Sequence, residues 1–318
     1  MSAKVGEIEV RAILLGGTGA IGGATALLLA KSGWTVEVTG RDRSRMPQEL
    51  SDLDVRFHQI ERSDTRGVEH LIGDGADLFV DLLAYSGPHV RALLPVMTSM
   101  DNLVLISSRA VYVDDFGGHV NGDEPPRFNA PIREDGPTLP PASDDVNPFS
   151  REGYAPGKVA AEQVALDSGL PVTVLRPSKV HGQWARNART GSIIDWMLSG
   201  NQDIELVQAD TIDHLTAATN TASLIKTVAT RSGRRILNVA DPDTPTASEI
   251  VGAIAAELAW ERQISRIEGA PDRGNHPWMT PMILDSTSAL ELGYRPVGNG
   301  LDLISEEVQW LLSGKSGR

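Results

Sequence analysis

Tyr154 and Lys158 stand four residues apart in Tyr154-Ala155-Pro156-Gly157-Lys158, so on a helix they share one face. A phenol with a pKa near ~10 is a poor acid–base at neutral pH. A neighbouring ammonium stabilises the phenolate and is expected to lower that value, letting Tyr154 give or take a hydroxyl proton. Of the four tyrosines, Tyr85, Tyr112, Tyr154 and Tyr294, only Tyr154 has a lysine at this spacing. Pro156 is expected in the first helical turn, where its missing N–H costs little. Upstream, Ser107 and Ser108 end the apolar run Asn102-Leu103-Val104-Leu105-Ile106. A hydroxyl at such a strand end can hold a reacting oxygen or simply cap a turn.

These groups need a partner molecule, and a glycine-rich stretch near the start offers a place for one. In Ile13-Leu14-Leu15-Gly16-Gly17-Thr18-Gly19-Ala20-Ile21-Gly22 an apolar run of strand length enters a glycine cluster, and an Ala/Leu-rich run of helical character follows. Gly16, Gly19 and Gly22, three residues apart, fit a strand-to-helix turn. Without Cβ atoms the chain turns tightly, backbone N–H groups approach a pyrophosphate, and helix packs closely on strand. The helix N-terminus adds partial positive charge toward the phosphates. The stretch predicts a dinucleotide site.

Strands are expected at 34–39, 55–60, 77–84, 102–107, 172–175 and 235–239, with helices at 44–53, 65–72, 88–100 and 154–168. Alternation of this kind gives right-handed βαβ units and a parallel sheet, hence an α/β fold. Residues 114–151 break the rhythm with Pro, Gly and Asp and are expected to form a lid or wall near the substrate, the alternative being disorder. Further on, 192–198 and 247–258 read as helices, and 204–207 and 263–267 as short strands. The expected organisation is a dinucleotide-binding domain over 1–176, rejoined by 211–241. A smaller substrate domain takes 177–210 and 242–318.

The 318 residues include no cysteine, which excludes thiol catalysis, disulfides and Cys-ligated zinc and fits a cytoplasmic location. The N-terminal residues lack the apolar stretch of a secretory signal, and no run reaches the ~18 apolar residues of a membrane span. A net charge of −13 argues against a nucleic-acid partner. His181, His214 and His276 have no metal-site spacing, and no metal is expected.

Glycine turn, strand-end serine and Tyr-x-x-x-Lys occur here in the order of the short-chain dehydrogenases/reductases. With Ser108-Arg109-Ala110-Val111-Tyr112, Leu175-Arg176-Pro177-Ser178-Lys179-Val180-His181-Gly182 and the tail 284–294, the chain resembles the extended branch, the NAD-dependent epimerase/dehydratase family, almost end to end. That resemblance implies a Rossmann-type, doubly wound seven-stranded sheet with a small C-terminal substrate domain. It implies Ser108 as the residue orienting the substrate oxygen, Tyr154 as acid–base, and Lys158 as the lysine that binds nicotinamide ribose and tunes Tyr154. Cofactor contacts are implied for Gly16, Gly17, Thr18, Gly19, Ala20, Ile21 and Gly22. Further contacts fall to Leu83, Ala84 and Tyr85 beneath the cofactor, to Ser107, and to Pro177, Ser178 and Val180 at the nicotinamide. Glu61 stands where an adenine-contacting aspartate is usual, followed by Arg62, and His181 replaces a tyrosine. Ser86, Arg109, His181, Arg186 and Arg189 are expected near the substrate, and His276-Pro277-Trp278 offers a stacking surface or ordinary packing. Relatives are often dimers through a helix bundle, so a homodimer using the Tyr154 helix is expected.

The end of the second strand selects the cofactor. Gly40-Arg41 offers a guanidinium and no acid, which suits a 2′-phosphate, with Arg43 nearby; Asp42 is the counter-signal for a free ribose. NADP(H) is expected, NAD being the alternative. The expected activity is interconversion of a carbonyl and a secondary alcohol by hydride transfer. A nucleotide-sugar epimerase or dehydratase with retained NAD, and a non-catalytic dinucleotide-binding relative, are the alternatives.

Overall fold

The structure, a computed structural model, describes residues 10–123, 125–129, 131–187, 189–199, 203–267 and 281–316. Its first half alternates β1 (Arg11–Leu15), α1 (Ala20–Lys31), β2 (Thr35–Gly40), α2 (Gln48–Ser51), β3 (Arg56–Gln59), α3 (Thr65–Ile72), β4 (Ala76–Asp81), α4 (Gly87–Met97), β5 (Met100–Ile106), α5 (Arg151–Asp167) and β6 (Val172–Pro177). Beyond β6 come β7 (Lys179–His181), α6 (Arg189–Ser199), β8 (Ile204–Val207), β9 (Leu215–Ala217), α7 (Ala218–Val228), β10 (Arg235–Val239), α8 (Ala247–Glu257), β11 (Ile264–Ile267), α9 (Thr287–Glu291) and α10 (Gly300–Ser316). The main sheet is wholly parallel in the order β10-β6-β5-β4-β1-β2-β3, the seven-stranded arrangement expected. Strand order reverses between β1 and β4, where such a sheet opens a crevice at its carboxyl edge.

The period of two along β1 explains why both faces are covered. Ala12 and Leu14 join a core with Leu29 of α1 and Leu224 and Ile225 of α7, whereas Ile13 and Leu15 join Val68, Phe79, Leu93 and Val174 on the other face. A separate core of Ile194, Leu206, Ile250, Ile254, Ile304 and Val308 builds the second lobe from α6, α8, α10 and the parallel pair β8–β11. Ala289 and Tyr294 pack into the first core, so the tail after residue 242 does not lie wholly in the smaller lobe. Residues 276–278, the expected stacking surface, lie outside the described residues. Among the described residues no helix is long and apolar enough to cross a membrane.

Several element boundaries differ from expectation for local reasons. Residues 44–53 do not form one helix, because Met46 before Pro47 takes an extended conformation and splits a 3-10 turn at Arg43–Arg45 from α2. Helix α5 begins at Arg151, since the Ser150 side chain accepts a hydrogen bond from the Gly153 N–H. Pro156 therefore sits inside the helix and not in its first turn. Residues 114–150 are irregular yet pinned. The Asp114 carboxylate accepts N–H bonds from Phe116, Gly118 and Arg127 at 2.9, 2.7 and 2.7 Å, and Ile132 pairs with Leu284.

A polar junction links the lobes. His181, 3% exposed, places Nε2 3.0 Å from the Asp241 carboxylate and Nδ1 3.6 Å from that of Glu307. Asp241 also accepts from the Ala217 N–H and the Asn220 amide, both at 2.7 Å. Burial by itself would lower the imidazole pKa, but the two carboxylates raise it to about 9. A pKa raised in the folded state contributes stability that is complete below ~6.5, the unfolded value, and is lost as pH rises through the folded value. Urea unfolding at several pH values should show His181→Gln flattening this decline, by ~3 kcal/mol at most between the two pKa values.

Candidate active site

Tyr154 and Lys158 face the same way from α5, as their spacing predicted. Lys158 is 2% exposed, and its ammonium donates to the carbonyls of Ala84 and Ile106, at 2.9 Å each. It lies 4.3 Å from the centre of the Tyr85 ring and 5.9 Å from that of Tyr154. Burial pushes its pKa down to about 8, against the opposing pull of the Asp81 and Glu162 carboxylates. Two of its three N–H bonds are used, leaving one for a ligand. The Ser108 hydroxyl accepts the Ala110 N–H at 3.1 Å and lies within hydrogen-bonding reach of the Tyr154 phenol. The Tyr154 phenol is itself buried. Burial raises its pKa and outweighs the Ser108 hydrogen bond, so Tyr154 is protonated at neutral pH.

Beside this group, at the carboxyl ends of β1 and β4, a cavity of about 1060 Å³ runs along the glycine turn, ample for a dinucleotide. Gly16 has φ +90°, a conformation that favours glycine, and a Cβ on Gly22 would come within 2.6 Å of the Gly17 Cα, so α1 can approach β1 only without one. A Cβ at Gly19, the N-cap of α1, would meet nothing within 4 Å. No side chain caps that helix, so its first N–H groups are left for an external acceptor. Thr18, Ala20, Ile21, Leu83, Tyr85 and Val180 also line this cavity. The residues present therefore fit a pyrophosphate-bearing ligand.

At the far end, Arg41, Asp42, Arg45 and Glu61 border the cavity. The Asp42 carboxylate is occupied by the Ser44 N–H at 2.9 Å and the Ser44 hydroxyl at 2.7 Å, and lies 3.6 Å from Arg45. Arg43 instead stacks on Phe57, 5.8 Å from the ring centre. Arg62, expected at the adenine, pairs with the buried Asp81 carboxylate at 2.5 Å.

Several expected ligand residues point elsewhere. A Cβ on Gly17 would meet Val38 at 2.5 Å, so this residue packs down on β2. The Ser107 hydroxyl donates to Glu162 in the interior, and Ser178 Oγ donates to the His214 carbonyl at 2.5 Å. Ser86 caps α4, and His181 is sealed in the lobe junction. Ala84 contributes its carbonyl to Lys158 and Pro177 ends β6, leaving Ala84 and Pro177 as supports of the wall. Arg109 donates to Ser178 Oγ at 3.2 Å, and burial lowers its pKa to about 10. It forms a basic cluster with Lys179, which is ion-paired to Asp213, and with Arg189.

Four further residues shape the site. His89 Nδ1 accepts the Tyr85 N–H at 3.3 Å, and Phe149 lies 5.2 Å from the Tyr85 ring, so both wall the inner end. Asp81 holds the Leu83 N–H at 2.9 Å. Gly157 lets α5 approach the chain after β4, since a Cβ there would sit 2.5 Å from the Tyr85 carbonyl oxygen. Its signal in the sequence is an isolated glycine inside a helical stretch. Gly157→Ala should displace Tyr85 and cost about 1–3 kcal/mol, measured by denaturant unfolding.

Comparison with known proteins agrees with this fold. Residues 12–95 match the family model described as the saccharopine dehydrogenase NADP binding domain. No curated protein matches the chain in sequence. Among solved structures, UDP-glucose-4-epimerase from Stenotrophomonas maltophila, with bound NAD and formylated UDP-arabinopyranose, superposes with a TM-score of 0.75 at 16% identity, covering 98% of this chain and 100% of that one. UDP-glucose 4-epimerase from Thermotoga maritima, with UDP-glucose, gives 0.73 at 16% identity over 96% and 100%. dTDP-glucose 4,6-dehydratase from Bacillus anthracis, in complex with NAD, gives 0.71 at 18% identity over 96% and 98%. The chain has the fold of the extended short-chain dehydrogenases/reductases.

Proposed function

We propose that the chain is an NADP(H)-dependent oxidoreductase that interconverts a carbonyl and a secondary alcohol. The observation that carries this reading is the Ser108–Tyr154 hydroxyl pair set over the buried Lys158 ammonium, beside the glycine-turn cavity. When bound, the nicotinamide supplies or accepts the hydride at the substrate carbon. Ser108 holds the substrate oxygen, and Tyr154, protonated at neutral pH, donates the proton that this oxygen takes up on reduction. Lys158, charged below about pH 8, steadies the negative charge left on Tyr154 and has one N–H free for the cofactor's ribose. The preference for NADP(H) is supported by Arg41 and Arg45 at the distal end, by the engagement of Asp42 with Ser44, and by the family match at 12–95.

A second reading, an epimerase that retains NAD, is favoured by the basic cluster of Arg109, Lys179 and Arg189 beside Ser108. Such a cluster suits the diphosphate of a nucleotide sugar, the class of ligand found in the Thermotoga structure. No Asp-Glu pair follows Ser108, which counts against a dehydratase. A non-catalytic dinucleotide-binding relative remains as the third reading, and the serine–tyrosine–lysine trio counts against it.

Tyr154→Phe should lower turnover by about 10²–10⁴-fold while NADPH binding, followed by fluorescence, stays within about 3-fold. Wild-type turnover by this variant on any accepted carbonyl would refute the mechanism. Reduction by the wild type should hold steady to about pH 8 and fall above it as Lys158 loses its proton; a rate still rising through pH 9 would contradict the role given to the ammonium.

A further inference from the structure

Arg186 lies in the second lobe's sequence but reaches the glycine turn. Its Nη2 donates to the Thr18 hydroxyl at 3.1 Å, across 168 positions of chain. Both residues line the cavity with Gly19 and Ala20 at the uncapped start of α1. The guanidinium also acts electrostatically on Tyr85, the residue stacked on Lys158, where it opposes the rise caused by burial. Arg186 is thus placed along the middle of the groove, between the glycine turn and the catalytic hydroxyls. Among the described residues it makes no ion pair, although the chain carries 42 carboxylates against 29 lysines and arginines.

The segment bearing Arg186 is built in place. Trp184 adopts φ +61°, unusual for a bulky residue, and its ring covers Gly23 of α1, where a Cβ would come within 2.5 Å. The ring also meets Trp310 of α10 nearly at right angles, 6.5 Å between centres. Asn187 donates its amide to the Val180 carbonyl at 3.1 Å. The segment then runs into α6, the first helix of the second lobe.

We propose that Arg186 is a cofactor-binding residue: on arrival of the dinucleotide it exchanges the Thr18 hydroxyl for the pyrophosphate and clamps it from the second-lobe side of the groove. This inference rests on the dinucleotide reading above. A guanidinium binds a neutral hydroxyl weakly, whereas a phosphate oxygen accepts a charge-assisted and often bidentate bond, so the exchange favours the ligand. The sequence placed Arg186 near the substrate; the contact with Thr18 moves it to the cofactor.

The test is equilibrium binding by the full-length wild type, R186M and R186K. The ligands are NADPH, 2′-phospho-ADP-ribose, which keeps the pyrophosphate, and adenosine 2′-monophosphate, which lacks it. If NADH proves the tighter cofactor, NADH, ADP-ribose and adenosine form the corresponding set. R186M should weaken both pyrophosphate-bearing ligands by about 10- to 100-fold and leave the third within about 3-fold, with R186K recovering part of the loss. Unchanged affinity for the pyrophosphate-bearing ligands in R186M, or an equal loss for all three, would overturn the proposal while leaving the dinucleotide reading standing. Failure of the wild type to bind either NADPH or NADH would overturn both.

Discussion

The site depends on one buried ammonium. Lys158 leaves α5 to bond the carbonyls of Ala84, in the chain after β4, and Ile106, at the end of β5, and thereby ties three segments together at the carboxyl edge of the sheet. A buried ammonium is costly unless its N–H bonds are satisfied, so those two carbonyls fix where α5 lies. Tyr154, one turn earlier, then has a set position against Ser108. The approach is close enough that residue 157 must lack a side chain.

The same geometry governs the electrostatics. Drawing Tyr154 and Lys158 out of water raises the phenol's pKa and lowers the ammonium's, so the free protein rests as a phenol beside a partly weakened cation. Asp81 and Arg62 form a second buried pair below the groove, and Asp81 also holds the Leu83 N–H. The cavity floor is therefore rigid where a cofactor's central part would lie, whereas its far end carries exposed arginines. Arg109, Lys179 and Arg189 form a buried basic cluster around the carboxylate of Asp213, with Glu307 also acting on Arg189.

Much of the fold was legible because the strands of the main sheet are apolar runs bounded by breaks, and the turn after β1 carries glycines at positions where backbone must approach backbone. The pair Tyr154–Lys158 was legible from helical spacing alone. What escaped was set by tertiary contact. The short strands β7 and β9 pair with each other over three residues, too few to leave a pattern. Ser107 and Ser178 have the right residue type at a strand end, but their hydroxyls find interior partners in Glu162 and His214. Spacing also could not say that burial would raise the Tyr154 phenol despite its hydrogen bond with Ser108, or that Ser44 would occupy the Asp42 carboxylate.

We infer that the groove beside the trio is built for a dinucleotide carrying a 2′-phosphate. The decisive measurement is titration of the freshly purified protein with NADPH and with NADH, after identifying any nucleotide that a denatured sample releases. One NADPH should bind saturably per chain, at least about 10-fold tighter than NADH, as expected when a guanidinium pairs with the phosphate. Stoichiometric NAD retained through purification, or no saturable binding of either nucleotide, would contradict it.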